Sequence, residues 1–479
     1  MAPRLVVVGG GISGLAAAWA ARRLARERGD ALEVIVLERD AEVGGKARSI
    51  ERDGWLVEAG PSGFLGGRPA MERLVDEAGL SPDAIPAGVA SRRRFIYRAG
   101  RMREIVPNPF ALVRHGILSV RGMGRLLVEP FVRARRDGGD EGVFDFAARR
   151  LGSEVADRMV RPMALGIFAG DARRLSLAAA FPRMAALERE HGSIIRGMMA
   201  RKGRTSSGTL TSFRHGMQSL PLALAQGGTF TVRRNARVEA IRRATASSVP
   251  TQPASASPSW EVVVEGDGVP IRADGVILAG EPWAMAALVR PLDHAAAAEL
   301  EAIPCPPIAV VALGFAPGAA ERIPAGFGVL IARDEGFRML GNLWESHLYP
   351  GRSPEGHVLV RAMLGGAVDP DIGALSDDAV LQLAREEVAR LYGITDPPVH
   401  VRIERVARAI PQYLLGHGER VARIERALAC FPNLDATGFG LRGVAFADAA
   451  SDGVTVGERM AARLLGMPTS IDAAAAIAG

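Results

Sequence analysis

Cysteine is nearly absent from this chain, whose 479 residues include only Cys305 and Cys430. Two cysteines cannot build a disulfide framework, and these two are too far apart for a Cys-x-x-Cys zinc site. The eight histidines match no metal-ligand spacing either. We therefore expect a cytoplasmic protein of a reducing compartment that binds no metal.

Long apolar runs are absent as well. No stretch reaches the roughly 18 uninterrupted apolar residues that a membrane-spanning helix needs. The apolar start of the chain is interrupted at Gly9–Gly11 and has no basic region before it, which argues against a secretory signal. The length exceeds what one hydrophobic core usually supports, so the sequence predicts two or three domains.

Lysine is scarce, because Lys46 and Lys202 are the only lysines and arginine carries the net charge of +6. Residues 92–136 contain twelve arginines but only two acids, Glu104 and Glu129, and apolar clusters separate the arginines. Stacking aromatic side chains are few there, which argues against a nucleic-acid partner. The pattern favours contact with an anionic membrane surface, and a solvated helical face over buried leucines is the alternative.

The first element of the chain has the order strand, glycine turn, helix. Leu5–Val8 is a short apolar run typical of a buried parallel strand, and Gly-Gly-Gly-Ile-Ser-Gly follows it directly. In this motif Gly9 permits the turn, Gly11 lets a pyrophosphate approach the backbone, and Gly14 allows the helix to pack closely on the strand. A second apolar strand ends at Glu38, whose carboxylate can bind an adenosine ribose. These residues predict dinucleotide binding and leave FAD and NAD both open.

A second glycine pair follows this acid. The segment reads Gly44-Gly45-Lys46-Ala47-Arg48, and Glu58-Ala59-Gly60-Pro61 comes shortly after it. It resembles the extended fingerprint of the flavoprotein superfamily that includes amine oxidases, phytoene desaturases and protoporphyrinogen oxidases. The resemblance implies FAD as the cofactor, with the glycine pair and the base after it as a second clamp on the diphosphate and flavin. The predicted cofactor residues are Gly9, Gly11, Ile12, Ser13, Gly14, Glu38, Arg39, Gly45, Lys46, Arg48, Gly60, Pro61, Ser62, Val238, Gly438, Val444 and Ala445.

Strand-rich and helical segments alternate along the chain. Residues 91–106 predict a hairpin around an Ala-Gly turn, and residues 107–204 predict mainly helix with breaks at Pro162 and Pro182. The small polar stretch 244–259 is predicted to be a loop inside one sheet, and the last ten residues a frayed tail.

The expected fold class is α/β, with a Rossmann-like FAD-binding domain, an interleaved mixed-sheet substrate domain and a helical membrane-associating segment. The FAD-binding domain is expected to be discontinuous, because cofactor and substrate segments alternate. The predicted ranges are 1–80, 205–282 and 403–468 for FAD binding, 81–106 and 283–402 for the substrate domain, and 107–204 for the helical segment.

Four downstream segments, the family blocks, narrow the resemblance. They are GIFAG, which opens the stretch 166–194, GFGVLI at 326–331, AMLGG at 362–366 and IPQYLLGHGERV at 410–421. In this order they are similar to segments of protoporphyrinogen oxidases, and the likeness covers nearly the whole chain. The resemblance implies oxidation of protoporphyrinogen IX to protoporphyrin IX in haem synthesis, in three two-electron steps with molecular oxygen as acceptor and hydrogen peroxide as product.

The resemblance also implies substrate contacts. Arg94 matches an arginine that pairs with a substrate propionate, a role that suits a guanidinium. Three further parts of the family's site have matching residues here. Gly166 and Ala169 match a backbone wall near the reacting edge, and Met363 matches the opposite wall. Phe327, Gly328 and Leu330 match the groups that sandwich one pyrrole ring. We expect no catalytic base, because the flavin carries the chemistry, and we expect structural roles for His191 and His417.

The C-terminal FAD segment departs from the family pattern. Residues 443–449 read Gly-Val-Ala-Phe-Ala-Asp-Ala, with alanines where the family has Asn and Cys, and Leu441 replaces an aromatic residue. The segment 279–284, Ala-Gly-Glu-Pro-Trp-Ala, is also unusual for its place after a strand. We expect the backbone contacts to the flavin to survive, while the affinity for the flavin or its redox tuning differs.

Several alternatives stay open at this point. Coproporphyrinogen III, with four propionates instead of two, is the second candidate substrate. A flavin amine oxidase, a desaturase and a non-catalytic carrier on the same fold are less favoured, because they lack the family blocks or the intact glycine turn. The sequence also allows a homodimer.

Overall fold

The computed structural model describes residues 2–106, 108–201, 208–244 and 260–467. The loop predicted at 244–259, apart from residue 244, and the predicted tail lie outside these described residues. The strands are, in chain order, β1 Arg4–Val8, β2 Glu33–Leu37, β3 Ser49–Arg52, β4 Trp55–Glu58, β5 Phe64–Leu65, β6 Ala84–Pro86, β7 Phe95–Arg98, β8 Arg101–Glu104, β9 Leu210–Phe213, β10 Thr231–Arg233, β11 Val238–Arg243, β12 Trp260–Val264, β13 Ile271–Ala273, β14 Gly275–Leu278, β15 Ile308–Phe315, β16 Gly328–Ile331, β17 Met339–Leu343, β18 Val358–Gly365, β19 His400–Val406 and β20 Leu434–Ala436.

Helices connect and cover these strands. They are, in chain order, α1 Ile12–Arg28, α2 Pro69–Glu77, α3 Pro109–Arg114, α4 Val120–Leu127, α5 Val143–Leu151, α6 Ser153–Val155, α7 Arg161–Phe168, α8 Leu177–Ala180, α9 Pro182–His191, α10 Ile194–Arg201, α11 Ser219–Gln226, α12 Pro282–Val289, α13 His294–Glu301, α14 Pro317–Ala320, α15 Glu345–Leu348, α16 Asp377–Tyr392, α17 His417–Ala429 and α18 Phe446–Leu464.

A parallel five-stranded sheet forms the nucleotide-binding half, in the order β10-β2-β1-β14-β20. Its central strand β1 is covered on both faces, which explains why Leu5–Val8 is a continuous apolar run rather than an alternating one. Helices α1, α11 and α18 pack on one face, and α12, α13 and α17 pack on the other. The Rossmann-like α/β prediction is confirmed.

Two glycines of α18 set the packing of that helix on α1. A Cβ atom at Gly453 would lie 2.2 Å from the Ser13 carbonyl oxygen, and one at Gly457 would lie 2.1 Å from that of Ala17. Only glycine permits this close approach of the two backbones. Because later residues of α18 meet later residues of α1, the helices run parallel and both begin at the same edge of the sheet.

The second sheet has seven strands, in the order β19-β15-β18-β17-β16-β7-β8, and it is mixed, since β16 and β7 pair in parallel and the other pairs are antiparallel. One face packs on α16. The other carries Leu330 and Met363 toward α7 and the nucleotide-binding half. The predicted hairpin is confirmed, with β7 and β8 joined at Ala99 and Gly100, both at positive φ.

The segment from residue 108 to 201 is mainly helical, as predicted. The expected break at Pro182 is confirmed, since α8 ends before it and α9 begins at this proline. The expected break at Pro162 is wrong. A π-helical turn at Ala156–Val160 joins α6 to α7, and this wider turn accommodates a proline in the first turn of α7 without ending the helix. Within the described ranges, no helix combines the length and apolar character needed to cross a membrane.

Candidate active site

The first glycine turn lies at the carboxyl edge of the parallel sheet. A Cβ atom on Gly14 would lie 2.0 Å from the Gly9 carbonyl oxygen, so glycine is required there for the fold itself. A Cβ atom on Gly11 would meet no atom within 4 Å. Ile12 and Ser13 begin α1, whose first turn has no side-chain cap and no acid. The turn therefore leaves open space in front of a helix N-terminus, as a bound diphosphate requires.

Glu38 stands at the end of β2 beside this turn. Its Oε2 accepts a hydrogen bond from the Gly10 amide (2.7 Å), and its Oε1 accepts one from the Asp40 amide (2.9 Å). Burial raises the pKa of Glu38, while the two amides act in the opposite direction. The chain approaching Val238 runs alongside, because the Ala236 amide donates to the Glu38 carbonyl. A fixed acceptor thus lies where an adenosine ribose is expected.

The second glycine pair lies directly against the first turn. Gly44 forms a parallel bridge with Gly11 and donates its amide to the Gly10 carbonyl (2.9 Å). A Cβ atom on Gly45 would lie 3.5 Å from the Gly11 Cα. The Lys46 ammonium pairs with Glu281 and lies 4.5 Å from the centre of the Phe439 ring. The two predicted clamps therefore meet at one point.

The C-terminal glycine turn closes the same edge of the sheet. Gly438 has φ +128°, and its Cβ position lies 3.3 Å from the Gly280 carbonyl oxygen. Ala445 precedes the first residue of α18, and Val444 packs against the helical core. Trp283 lies in the unusual segment 279–284, and its buried Nε1 has no hydrogen-bond partner among the described residues. The open glycine turn, the fixed Glu38 and this orphaned donor fit an FAD nucleotide.

Three other predicted cofactor residues, Gly60, Pro61 and Ser62, follow β4. Gly60 packs on the second clamp, since a Cβ atom there would lie 1.9 Å from the Lys46 carbonyl oxygen. Arg48 reaches away from this loop to Glu404 of the second sheet, at 4.0 Å. Arg39 is half-exposed and pairs with Asp40 at 3.6 Å, so it lies at the surface. Its guanidinium carbon lies 5.6 Å from the centre of the Trp283 ring, so Arg39 borders the predicted cofactor site from the surface.

The family blocks converge on the end of α7, although up to about 250 residues separate them along the chain. A Cβ atom on Gly166 would lie 2.3 Å from a methyl carbon of Leu330. Ala169, at φ +48°, accepts the Ala367 amide next to the AMLGG block. Gln412 of the last block donates to the Phe168 carbonyl at 2.8 Å. The structure therefore brings the predicted substrate walls together.

Arg94 is an exposed residue that precedes β7 of the second sheet. Its guanidinium carbon is 5.0 Å from the centre of the Phe327 ring, and its carbonyl accepts the Ile105 amide. Gly328 has φ +148°, and a Cβ atom there would lie 2.3 Å from the Asn342 carbonyl oxygen. Met363 is paired with Val310 and with Gly341 in the middle of the sheet. Arginine, aromatic ring and apolar walls thus line one region.

His417 has the structural role that the sequence predicts. Its ring stacks on Tyr413 at 4.1 Å between centres, and its Nε2 lies 3.0 Å from the Leu441 carbonyl oxygen. Burial lowers the pKa of His417, which favours the neutral ring. In the described ranges no group of three or more His, Cys, Asp or Glu side chains is arranged to hold a metal ion.

The sequence motifs did not predict a buried charged network that lies between the two sheets. Glu58, Glu345, Arg352 and Arg361 are each no more than 3 % exposed, and Tyr349 lies beside them with its hydroxyl unpaired by any described residue. One signal was available, since Arg361 interrupts the apolar strand pattern Val-Leu-Val-Arg-Ala-Met-Leu. A charge in the middle of a buried strand indicates a specific partner.

We expect Glu58 to make the stability of the protein depend on pH. Burial raises its pKa from 4.5 to about 7, despite hydrogen bonds from Ser49 (2.7 Å) and the Met217 amide (2.9 Å). Between these two values the folded state holds a proton that the unfolded state has released, so this group's contribution to stability falls as pH rises through that window. Glu58→Gln should remove the effect, and its stability relative to wild type should rise by up to about 3 kcal/mol from pH 4.5 to pH 8.

Thermal unfolding midpoints of wild type and Glu58→Gln at these two pH values test this expectation. The exposed Glu239→Gln is the matched control, because it makes the same chemical change outside the network. Parallel pH profiles for wild type and Glu58→Gln would contradict the expectation.

The fold and the site together define a class, that of the FAD-dependent oxidoreductases. A parallel sheet presents two glycine turns and the fixed Glu38 carboxylate at one edge, and a second sheet contacts the loop that packs on the second glycine turn. The model of the family described as flavin containing amine oxidoreductase matches residues 12–452. The chain belongs to this family.

Similar proteins carry a narrower description. The chain is 29 % identical over 457 residues to the coproporphyrinogen III oxidase of Bacillus subtilis, covering 94 % of this chain and 96 % of that one. It is 31 % identical over 453 residues to the chloroplastic protoporphyrinogen oxidase of Oryza sativa, covering 88 % and 81 %. A solved structure from Exiguobacterium sp. 255-15 superposes with a TM-score of 0.82 at 23 % identity, covering 97 % and 99 %. The family resemblance seen in the sequence is confirmed.

Proposed function

We propose that the protein oxidises protoporphyrinogen IX to protoporphyrin IX with molecular oxygen as the electron acceptor. The observation that carries the proposal is the convergence of the four family blocks on α7. The relatives named as porphyrinogen oxidases support the same substrate class. FAD, when bound, supplies a two-electron acceptor, and three such oxidations consume three oxygen molecules and release three of hydrogen peroxide.

The residues of the chain bind and orient the macrocycle. In this proposal Arg94 binds a propionate through a bidentate, charge-assisted pair, and the Phe327 ring, whose centre lies 5.0 Å from the guanidinium carbon, supports it. Leu330 and Met363 present apolar side chains that exclude water from the reacting region. Gly166 leaves room for the Leu330 methyl group, which a side chain at this position would meet at 2.3 Å. Fixing the ring in one orientation lowers the entropic part of the barrier.

Coproporphyrinogen III is the second candidate substrate. One observation favours it, since the Bacillus subtilis coproporphyrinogen III oxidase is matched over more of both chains than the rice protoporphyrinogen oxidase. Coproporphyrinogen III carries two more propionates than protoporphyrinogen IX. The relative rates with the two substrates therefore indicate how many basic groups the site offers to carboxylates.

The decisive assay uses purified holoprotein. We expect a flavin absorbance spectrum, porphyrin fluorescence that grows with protoporphyrinogen, and peroxide release in step with it. A faster increase in porphyrin fluorescence with coproporphyrinogen would identify coproporphyrinogen III as the preferred substrate. A flavin-containing protein that leaves both porphyrinogens unoxidised but releases peroxide with an amine would overturn the proposal in favour of an amine oxidase.

We further propose that the protein is cytoplasmic and binds the inner membrane surface through the apolar-basic segment, residues 108–136. Phe110 is 87 %, Val120 78 % and Phe131 80 % exposed. The two acids of the surrounding stretch are both paired, Glu104 with Arg93 at the surface and Glu129 with Arg150 in the interior. Exposed arginines beside exposed apolar side chains are complementary to anionic lipid.

Charge reversal tests this membrane contact. The double variant Arg114→Glu with Arg121→Glu should bind phosphatidylserine vesicles about 30-fold more weakly in a flotation assay. Each arginine near the surface contributes about 1 kcal/mol to the binding free energy. Arg125 is not a useful target, because it donates to the Arg149 and Arg150 carbonyls at the end of α5. Arg234→Glu with Arg385→Glu is the control, with the same charge change at exposed positions elsewhere. Equal flotation of all variants would return the segment to a solvated helical face.

A further inference from the structure

Arg361 is a charged residue in the middle of a buried apolar strand. It lies on β18 and is 3 % exposed, between Val360 and Ala362, which are fully buried in the core under α16. A guanidinium removed from water is costly unless charged or polar groups replace the lost hydration. The groups that bind Arg361 therefore indicate its role.

The partners of Arg361 come mainly from the loop that follows β4. Its Nη1 donates to the carbonyl oxygens of Glu58 and Gly60, each at 2.6 Å. Its Nη2 donates to the Ser62 hydroxyl, and that hydroxyl donates in turn to Glu345 Oε1 at 2.5 Å. The same carboxylate oxygen lies 2.9 Å from Arg361 Nε. One guanidinium thus joins the second sheet to the loop Glu58–Ser62.

This loop and the substrate wall lie on either side of Arg361. Met363, two residues further on β18, projects from the same face of the strand. Gly60 packs on the Lys46 carbonyl, so the loop is also fixed to the second glycine clamp. We propose that Arg361 is a positioning residue that binds the loop Glu58–Ser62 to β18 and so sets the distance between the cofactor side and the substrate wall.

The expected effect follows from the geometry of the reaction. Reacting atoms must approach to about 3–3.5 Å, and a misplacement of about 1 Å costs on the order of 100-fold in rate. A lysine at this position would keep the charge but could not supply the planar fork that binds two carbonyls and a hydroxyl together. This inference rests on the proposed function for its kinetic arm only, because the spectroscopic arm requires FAD alone.

Arg405 offers a matched control on the same sheet. It donates to the carbonyl oxygens of Leu375, Ile372 and Gly373 and makes no contact with the loop after β4. Arg405→Met therefore removes an arginine that binds several carbonyls without touching the predicted flavin contact.

The experiment compares Arg361→Lys, Arg361→Met and Arg405→Met as purified holoproteins. Visible circular dichroism of the bound flavin, FAD affinity, and kcat and KM for porphyrinogen oxidation are measured with the thermal midpoint. We expect both Arg361 variants to change the dichroism of the flavin, and kcat to fall about 10-fold for lysine and about 100-fold for methionine. KM should stay within about threefold, because the substrate wall remains on its sheet.

Wild-type flavin dichroism and kcat in both Arg361 variants would overturn the proposal, as would equal changes in Arg405→Met. If Arg361→Met does not fold, Arg361→Lys decides by the same readouts. Failure of the proposed function is recognised separately. In that case the wild-type protein produces no porphyrin fluorescence, while flavin dichroism and FAD affinity still report whether Arg361 positions the loop.

Discussion

Gly11→Val is expected to leave the apoprotein folded and to weaken FAD binding at least about 100-fold. Its Cβ position is open in the protein, and φ −70° and ψ 174° are accessible to valine, so the fold itself gains no clash. The diphosphate requires the same space, and overpacking by the isopropyl group of valine costs about 3 kcal/mol, equivalent to about 100-fold in affinity. Flavin content after purification and titration of apoprotein with FAD measure the effect.

Two controls separate cofactor loss from unfolding. Gly418→Val makes the same change at another open position, in the first turn of α17, and should retain flavin. Gly14→Ala places a methyl group against the Gly9 carbonyl oxygen and should lower the thermal midpoint of the apoprotein itself. If Gly11→Val binds FAD as tightly as wild type, the cofactor does not lie at the first glycine turn.

The nucleotide-binding half could be predicted from the sequence because its signals are local. Strand, glycine turn, helix and terminal acid lie within 34 residues, from Leu5 to Glu38, and each constrains the next through backbone geometry. The family blocks predicted the residues of the substrate walls, but only the fold shows that these blocks meet at α7. The segment 279–284 is unusual in sequence, and the structure gives its Glu281 a partner in Lys46.

The interdomain contacts could not be predicted, because their partners are separated by about 300 residues. Arg361 marks itself as unusual within β18, but nothing local indicates that it binds the carbonyls of Glu58 and Gly60. The same limit explains the error at Pro162. A proline predicts a helix break from local sterics, whereas the π turn before it provides the room that the ring needs.

Arg94→Ala should lower kcat/KM for porphyrinogen oxidation about 10- to 100-fold, mainly through KM. A hydrogen bond to a charged group contributes about 1.5–3 kcal/mol, and the propionate is remote from the bond that reacts, so the loss should be one of uniform binding. Arg94→Lys should recover only part of it, because an ammonium cannot form the bidentate pair. Steady-state fluorescence assays over a range of porphyrinogen concentrations give both constants.

Arg93→Ala is the neighbouring control. Arg93 already donates hydrogen bonds to Glu104, at 3.0 and 2.9 Å, and to the Ala325 carbonyl. Its loss should therefore affect the hairpin and leave kcat/KM within about twofold.

Methyl esters of the porphyrinogen complete a double-mutant cycle. If Arg94 binds a propionate, esterification should cost wild type about as much as the substitution does and cost Arg94→Ala almost nothing further. Equal losses on esterification in both proteins would place the carboxylate elsewhere, and the protoporphyrinogen and coproporphyrinogen esters together would show how many propionates the site engages.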